Sequence, residues 1–347
     1  MYDIDSIHTI ELPFTTVDVF TRTRFLGNPL AVVTIPANLA LSYDQKLNVA
    51  REFNLSETVF IHAPASGSGS GSGSDSGSDS DSDSDSASSR DIDIFLTTRE
   101  IPFAGHPTIG AAITLLSQGV TTLNTKAGPI QIVRTAQDAV RASIPFNTHL
   151  HKLTLADLAG NSGSGGVNGQ DGSAAPPQPW LSSDPAIRKL ELTAPVFSIV
   201  KGMTFVLIEL PDLDTLARVK PATEMVPEHV CDPEWQGGFV SKYYYVKTSR
   251  VQSGSGPTRQ SIRTRMMEPV FEDPATGSAA CALGSFLVLH AEEFNKSDAE
   301  VSFEVTQGVE MGKESNIEVV VGVVGGELES VQLAGAAVPV MRGTITV

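Results

Sequence analysis

The sequence predicts an α+β protein of two similar modules, each a curved, mostly antiparallel β-sheet around one central apolar helix. Three observations carry that expectation. Most segments between turn signals are short runs of Val, Ile, Thr and Phe, the composition of strands. Two helical segments, Pro107 to about Ser117 and Ser278 to about His290, are apolar on every face, which suits a helix enclosed by other structure. The two are led in by similar sequences, Phe103-Ala-Gly-His-Pro-Thr-Ile-Gly110 and Glu272-Asp-Pro-Ala-Thr-Gly-Ser-Ala279, one in each half of the chain. Strands and helices alternate too irregularly for a doubly wound parallel sheet.

The elements follow in order. Phe14 to Phe20 and Leu30 to Ile35 read as an opening strand pair about the turn Gly27-Asn28-Pro29. A short helix comes next, with Ser42 and Gln45 in capping-box spacing and Leu47, Ala50 and Phe53 on one face. Thr58 to His62 and Asp91 to Leu96 read as two arms of a hairpin. Between them, residues 65–89 are Gly/Ser and then Asp/Ser repeats with no large apolar residue to offset ordering entropy, so a disordered surface insertion is expected. The rest of the first half reads as strands around the first apolar helix. In the second half, strands at Val196–Val200, Thr204–Leu210 and Phe239–Val246 precede the second apolar helix. Residues 160–179 and 252–260 read as two further flexible insertions. Ile317 to Val324, a Gly325-Gly326 turn, Leu328 to Leu333 and a last strand to Val347 form a closing meander. The modules are expected at 1–146 and 147–335.

At 347 residues the chain is long enough for two domains of ordinary size, each with its own core. Its net charge of −16 repels phosphate backbones and anionic lipid, so neither nucleic acid nor a membrane surface is an expected partner. The longest nearly apolar run, Ala279 to Ala291, falls short of the roughly 20 residues that span a bilayer. The N-terminus carries no basic region followed by an apolar one, so a cytoplasmic location is expected. The two cysteines, Cys231 and Cys281, stand in no ligand spacing, which excludes a disulfide framework and gives no expectation of a metal. His149, His151 and His229 lie in polar stretches and read as surface residues.

Each apolar helix begins with glycine, proline, a hydroxyl and an ionisable group, where first-turn N–H groups have no intrahelical partner. Either start alone reads equally as a well-capped helix, with Pro107 in the first turn and Thr276 or Ser278 as cap. Two such starts together suit one bound anion, most simply a substrate carboxylate. Glu57, in Asn54-Leu-Ser-Glu-Thr-Val-Phe60, reads from spacing alone as a solvated residue at a strand start, with Asn54 or Ser56 shaping the turn.

Phe25-Leu-Gly-Asn-Pro-Leu-Ala31, Asn54-Leu-Ser-Glu57, Gly105-His-Pro-Thr108, Glu272-Asp-Pro-Ala-Thr-Gly-Ser278 and Gln307-Gly308 with Met311-Gly312 resemble, in order, the signatures of PhzF-like proteins. The match runs over nearly the whole chain apart from the insertions. The resemblance implies the diaminopimelate-epimerase fold, with the active site in the cleft between two halves and the last strand, 336–347, returning to the first. It implies a phenazine-biosynthesis-like isomerase that works without a cofactor. Such an enzyme moves a proton between carbons of a small carboxylate-bearing substrate, anthranilate- or amino-acid-like. Carried over residue by residue, Glu57 is the general acid/base. His106 and Asp273 act with it as a pair holding a substrate amino or hydroxyl group. Asn28 and Ser278 bind substrate, and backbone N–H groups from Gly105 to Thr108 and from Gly277 to Ala279 take its carboxylate. The family commonly forms homodimers. Amino-acid epimerases of this fold use two facing cysteines, and here Gly105 and Asp273 stand in their places, so a two-thiol mechanism is excluded. Lys313-Glu314 replaces the usual Arg-Pro after Met-Gly. Two other readings stay open: a hydrolase, lyase or epimerase of the same fold using Glu57 on another small acid, and a non-catalytic binding protein.

Overall fold

The computed structural model describes residues 9–64, 88–161, 178–251, 258–294 and 299–347. The chain divides into two units, Met1–Phe25 with Pro29–Ser143 and Gly335–Val347, and Leu26–Asn28 with Ile144–Ala334. The expected insertions 65–89, 160–179 and 252–260 lie mostly outside the described residues. At their edges the sequence reading is corrected. Ser89 opens a strand, Gly160 and Asn161 end a helix, and Thr258, Arg259 and Gln260 pair in a ladder. Polar residues end these elements without ending their hydrogen bonding, as the buried Gln260 amide donating to Ser249 O and Ser261 O illustrates.

In the first unit, β1 (Glu11–Val19) pairs with β2 (Asn28–Ile35), and β2 runs parallel to β3 (Thr58–His62). A parallel step needs a crossover, and α1 (Tyr43–Phe53) supplies it. Ser42 and Gln45 close the capping box at 3.2 and 2.9 Å, as their spacing predicts. Then β3 pairs antiparallel with β4 (Ser89–Phe95), and β4 with the two-residue β5 (Glu100–Ile101). The apolar α2 (Gly105–Leu115) follows, and β6 (Thr122–Thr125) returns parallel to β4. A meander of β7 (Gly128–Ala136) and β8 (Ala139–Ser143) leads to β17 (Glu327–Thr346), which pairs with both β8 and β1 and closes an eight-strand barrel. Within it, α2 packs on β1, β3 and β8 and buries nine of its eleven residues.

The second unit repeats the order. β9 (His149–Leu150), β10 (Val196–Val200), β11 (Met203–Glu209), β12 (Phe239–Val251) and β13 (Thr258–Met267) come first. β15 (Ala299–Gln307), β16 (Ser315–Val324) and the first part of β17 complete the row of neighbours. The parallel steps fall at β11–β12 and β13–β15, where the first unit has β2–β3 and β4–β6. A short hairpin strand, β14 (Glu272–Asp273), precedes the second apolar helix, as β5 precedes α2. The same sequence of turns thus builds both units, and the α+β fold is of the diaminopimelate-epimerase kind.

Three helices of the second unit escape the sequence reading: α3 (Leu155–Asn161), α4 (Pro185–Thr193) and α5 (Leu213–Ala217). Each is nine residues or fewer, too short for an amphipathic period to stand out. They cover a core of Leu155, Ile187, Leu216, Val206, Ile208 and Tyr244. The second apolar helix, α6 (Gly277–His290), packs on β10, β11, β15 and β16. The expected break near Ala334 to Ala336 is also corrected, because β17 is one strand of twenty residues. Gly335 marks packing there, since a Cβ would stand 2.4 Å from the ring of Phe20. Among the described residues no helix is long and apolar enough to cross a membrane.

Candidate active site

In the first unit, Glu57 is delivered by the way α1 ends. Asn54 takes the left-handed conformation at φ 50° and its N–H bonds Ala50 O, a reversal that asparagine tolerates better than most residues. The chain then turns through Ser56 and Glu57 into β3. The Glu57 side chain is only 16% exposed, and its Oε2 lies 3.4 Å from His106 Nδ1. That oxygen is buried without a hydrogen-bond partner among the described residues. Burial pushes the carboxyl up to about 7, against a smaller downward pull from Ser56. A solvated strand-start glutamate would show none of this.

His106 occupies the second position of α2, behind Ala104 as N-cap, which makes no side-chain cap bond. Thr108 gives both its N–H and its hydroxyl to Ala104 O, at 3.3 and 2.8 Å, and therefore holds the turn. Pro107 has no N–H, so the N–H groups of this helix start that precede its first helical bond are those of Gly105 and His106.

In the second unit, the β13–β14 hairpin carries Asp273 to the start of α6. Asn28 Nδ2 donates to Asp273 Oδ1 at 2.8 Å and to Ala275 O at 2.9 Å. Thr276 Oγ1 donates to Asp273 Oδ2 at 2.5 Å. Both amide hydrogens of Asn28 are thus spent on protein atoms, which makes it a brace for Asp273. Thr276 does stand at the N-cap, yet its hydroxyl serves Asp273 and leaves the helix uncapped by a side chain. The first-turn N–H groups of Gly277, Ser278 and Ala279 precede the first helical bond, Ala280 N–H to Thr276 O at 3.0 Å.

Sequence reasoning missed two groups. Glu268, on the turn between β13 and β14, is buried with Oε1 hydrogen-bonded by the Ser241 hydroxyl. Burial, reinforced by the charge of Asp273, pushes it to about 7, against the lowering effects of Ser241 and Lys242. It lines a small pocket with Lys242, Glu224 and Met267. A glutamate before a proline gives no local sign of such burial.

The second group is His149, His151 and Asp232, whose ligand atoms lie within 4.8 Å of one another. This corrects the surface reading of His149 and His151. His151 is buried, accepting Asp232 N–H on Nδ1 at 3.0 Å and pairing Nε2 with Ser198 Oγ at 2.9 Å. His149 pairs with the Asp232 carboxylate at 2.7 Å and stacks on Trp235. The i, i+2 spacing of His149 and His151 in an extended segment puts the two imidazoles on one face, a signal the sequence did carry. Both ring nitrogens of His151 are engaged, so the group reads as a hydrogen-bonded brace and not as an open metal site. The cysteines are buried, Cys281 within α6 with its thiol pushed far up by burial, and neither is a reactive thiolate.

Comparison with known proteins agrees with this architecture. An uncharacterized isomerase of Mesorhizobium japonicum is 30% identical, with 94% of this chain and 96% of that protein covered. The trans-2,3-dihydro-3-hydroxyanthranilate isomerase of Pseudomonas fluorescens is 27% identical over 96% of this chain and 98% of its own. The crystal structure of a PhzF-family phenazine biosynthesis protein from Bacillus anthracis superposes with a TM-score of 0.66 at 20% identity, covering 97% of this chain and 100% of that one. The family model for phenazine biosynthesis-like proteins matches residues 17–343. With that span and those relatives, the chain belongs to the PhzC-PhzF family of phenazine biosynthesis-like proteins, a family of isomerases.

Proposed function

We propose that this isomerase moves a proton between two carbons of a small carboxylate-bearing, anthranilate- or amino-acid-like substrate, with Glu57 as the general acid/base. The observation that carries the reading is the buried Glu57 carboxyl, with one oxygen that accepts no hydrogen bond among the described residues and its titration near 7. An acid/base poised there takes a proton and gives it back at neutral pH, worth roughly 10²- to 10⁴-fold in rate. Glu57 takes the proton from one carbon as the C–H electron pair enters the adjoining π system. It returns that proton to a second carbon as the pair re-forms a C–H bond. His106, 3.4 Å from Glu57, positions it and contacts the substrate.

Asp273 accepts a donor group of the substrate, an amine or hydroxyl. Ser278, with the first-turn N–H groups of Gly277 and Ala279, takes the carboxylate, and those of Gly105 and His106 stabilise charge that builds up in the transition state. Asn28 and Thr108 serve by holding Asp273 and the α2 turn. Every group in this scheme belongs to the chain, so the step calls for no cofactor.

The test is incubation in D₂O with trans-2,3-dihydro-3-hydroxyanthranilate and a panel of small amino and hydroxy acids, read by mass spectrometry. Deuterium should enter one compound with the wild type and none with Glu57→Gln. Equal incorporation by the variant sinks the role of Glu57. Binding without exchange, for every compound, would instead favour a non-catalytic binding protein.

A further inference from the structure

The Gln307-Gly308 pair belongs to the signatures of the chain, yet the reaction above gives Gln307 no part. Its side-chain amide is fully buried and placed like a peptide group against the turn that carries Asp273. Nε2 donates to Asp273 O at 2.8 Å and to Thr276 Oγ1 at 3.0 Å. Oε1 accepts Thr276 N–H at 3.2 Å and the Tyr243 hydroxyl at 3.0 Å. A carbonyl faces one end of the amide and an N–H the other, so its orientation is unique.

The consequence reaches Asp273 through one proton. Thr276 has a single hydroxyl hydrogen, and its oxygen already accepts from Gln307 Nε2. Of the two acceptors within its reach, Asp273 Oδ2 at 2.5 Å and Met266 Sδ at 3.1 Å, the carboxylate is the nearer and the stronger, so that hydrogen points to Oδ2, while Asn28 supplies Oδ1. Both oxygens of Asp273 thus face donors, and the side chain enters the network purely as an acceptor.

The first unit shows that the fold does not need this clamp. Glu100-Ile-Pro-Phe-Ala-Gly105 there corresponds to Glu272-Asp-Pro-Ala-Thr-Gly277. Its N-cap, Ala104, has no hydroxyl, and its turn is held by a main-chain bond, Ala127 N–H to Pro102 O at 3.2 Å. With Thr108 bonding back to Ala104 O instead, the same strand–turn–helix forms without a glutamine against it or a threonine at its N-cap. The buried side-chain network occurs where an acid has to be aimed.

We infer that Gln307 is the positioning residue of the site, fixing Asp273 through Thr276 as an acceptor and so selecting substrates that present an N–H or O–H donor to it. The inference rests on the role proposed for Asp273 above.

Four variants and one double variant test it: Gln307→Met, Thr276→Val, Thr276→Ser, Asp273→Asn and Gln307→Met/Asp273→Asn. Each is followed by deuterium exchange into trans-2,3-dihydro-3-hydroxyanthranilate, after thermal unfolding has shown that it folds. Gln307→Met and Thr276→Val should each lower kcat/KM roughly 10- to 100-fold, the scale for a slightly misplaced site group. Thr276→Ser, which keeps the hydroxyl, should restore most of it. On the Asp273→Asn background Gln307→Met should cost nothing further. Additive losses overturn the inference, because Gln307 would then act elsewhere. Wild-type rates in Asp273→Asn overturn the role of Asp273 itself and leave Glu57 standing. If Gln307→Met does not fold, Thr276→Val decides in its place. A crystal structure of the same variant tests the clamp without any turnover: the Asp273 carboxylate should leave Asn28, and an unmoved carboxylate refutes the clamp.

Discussion

Glu57 and Asp273 are carboxyl groups handled in opposite ways. Asp273 has donors on both oxygens, whereas Glu57 has one oxygen buried without any. In the proposed role of base, Glu57 must be ionised to take a carbon-bound proton, and burial has moved its titration to about 7. The kcat/KM of the exchange reaction should therefore rise with pH through an apparent pKa near 7 and level off above it. A profile flat from pH 5 to 9 would remove Glu57 as the base. None of this was legible in Asn54-Leu-Ser-Glu57 by spacing, because desolvation comes from residues distant in sequence. Only the resemblance lifted Glu57 above a surface residue. Asn28 shows the converse: the resemblance gave it to the substrate, while both its amide hydrogens hold Asp273 and Ala275.

Among the elements, those with local chemistry were readable and those defined by contact were not. The α1 helix announces itself through Ser42 and Gln45, and α2 and α6 through apolarity on every face. By contrast Gly335 looks like a breaker and is a packing residue, since what faces it is Phe20, near the other end of the chain. The turn after β15 allows these two uses of glycine to be separated by experiment. Gly308 has φ +75°, and a Cβ there would stand 2.5 Å from Lys313 O and 2.7 Å from Pro274 O, both backbone atoms that cannot swing aside. Gly312 has φ +70° with open space around it. Ala at 312 should cost about 1 kcal/mol, the left-handed penalty alone. Ala at 308 should cost roughly 2 kcal/mol more, since overpacking adds to that penalty, and it should slow exchange by displacing Pro274 beside Asp273. Urea midpoints of the two variants measure the difference, and equal values would show that the turn yields freely.

At the scale of the molecule, the buried acids govern how stability follows pH. Glu57 and Glu268 titrate near 7 when folded and near 4.5 when unfolded. Between those values the folded chain keeps protons that the unfolded chain has released, so each acid lowers stability as pH rises. The loss is complete above about 7 and amounts to roughly 3 kcal/mol per group. His151 acts in the other direction. Burial holds it down to about 4, so between that value and 6.5 the unfolded chain binds the extra proton, and stability rises with pH. Its shift is of similar size, so His151 offsets about one of the two acids. The remaining acid, together with the repulsion of a net charge of −16 that grows with pH, tilts the balance toward lower pH. The wild type should therefore unfold at lower urea at pH 8 than at pH 5.5. Glu268→Gln removes one descending contribution and leaves the net charge at pH 5.5 nearly unchanged, because that site is already protonated there. The variant should exceed the wild type by roughly 1 kcal/mol at pH 5.5 and by roughly 3 kcal/mol at pH 8, so the gap widens by about 2 kcal/mol across that range. Parallel curves across that range would mean that Glu268 is ionised in the fold, and that Ser241 and Lys242 outweigh its burial.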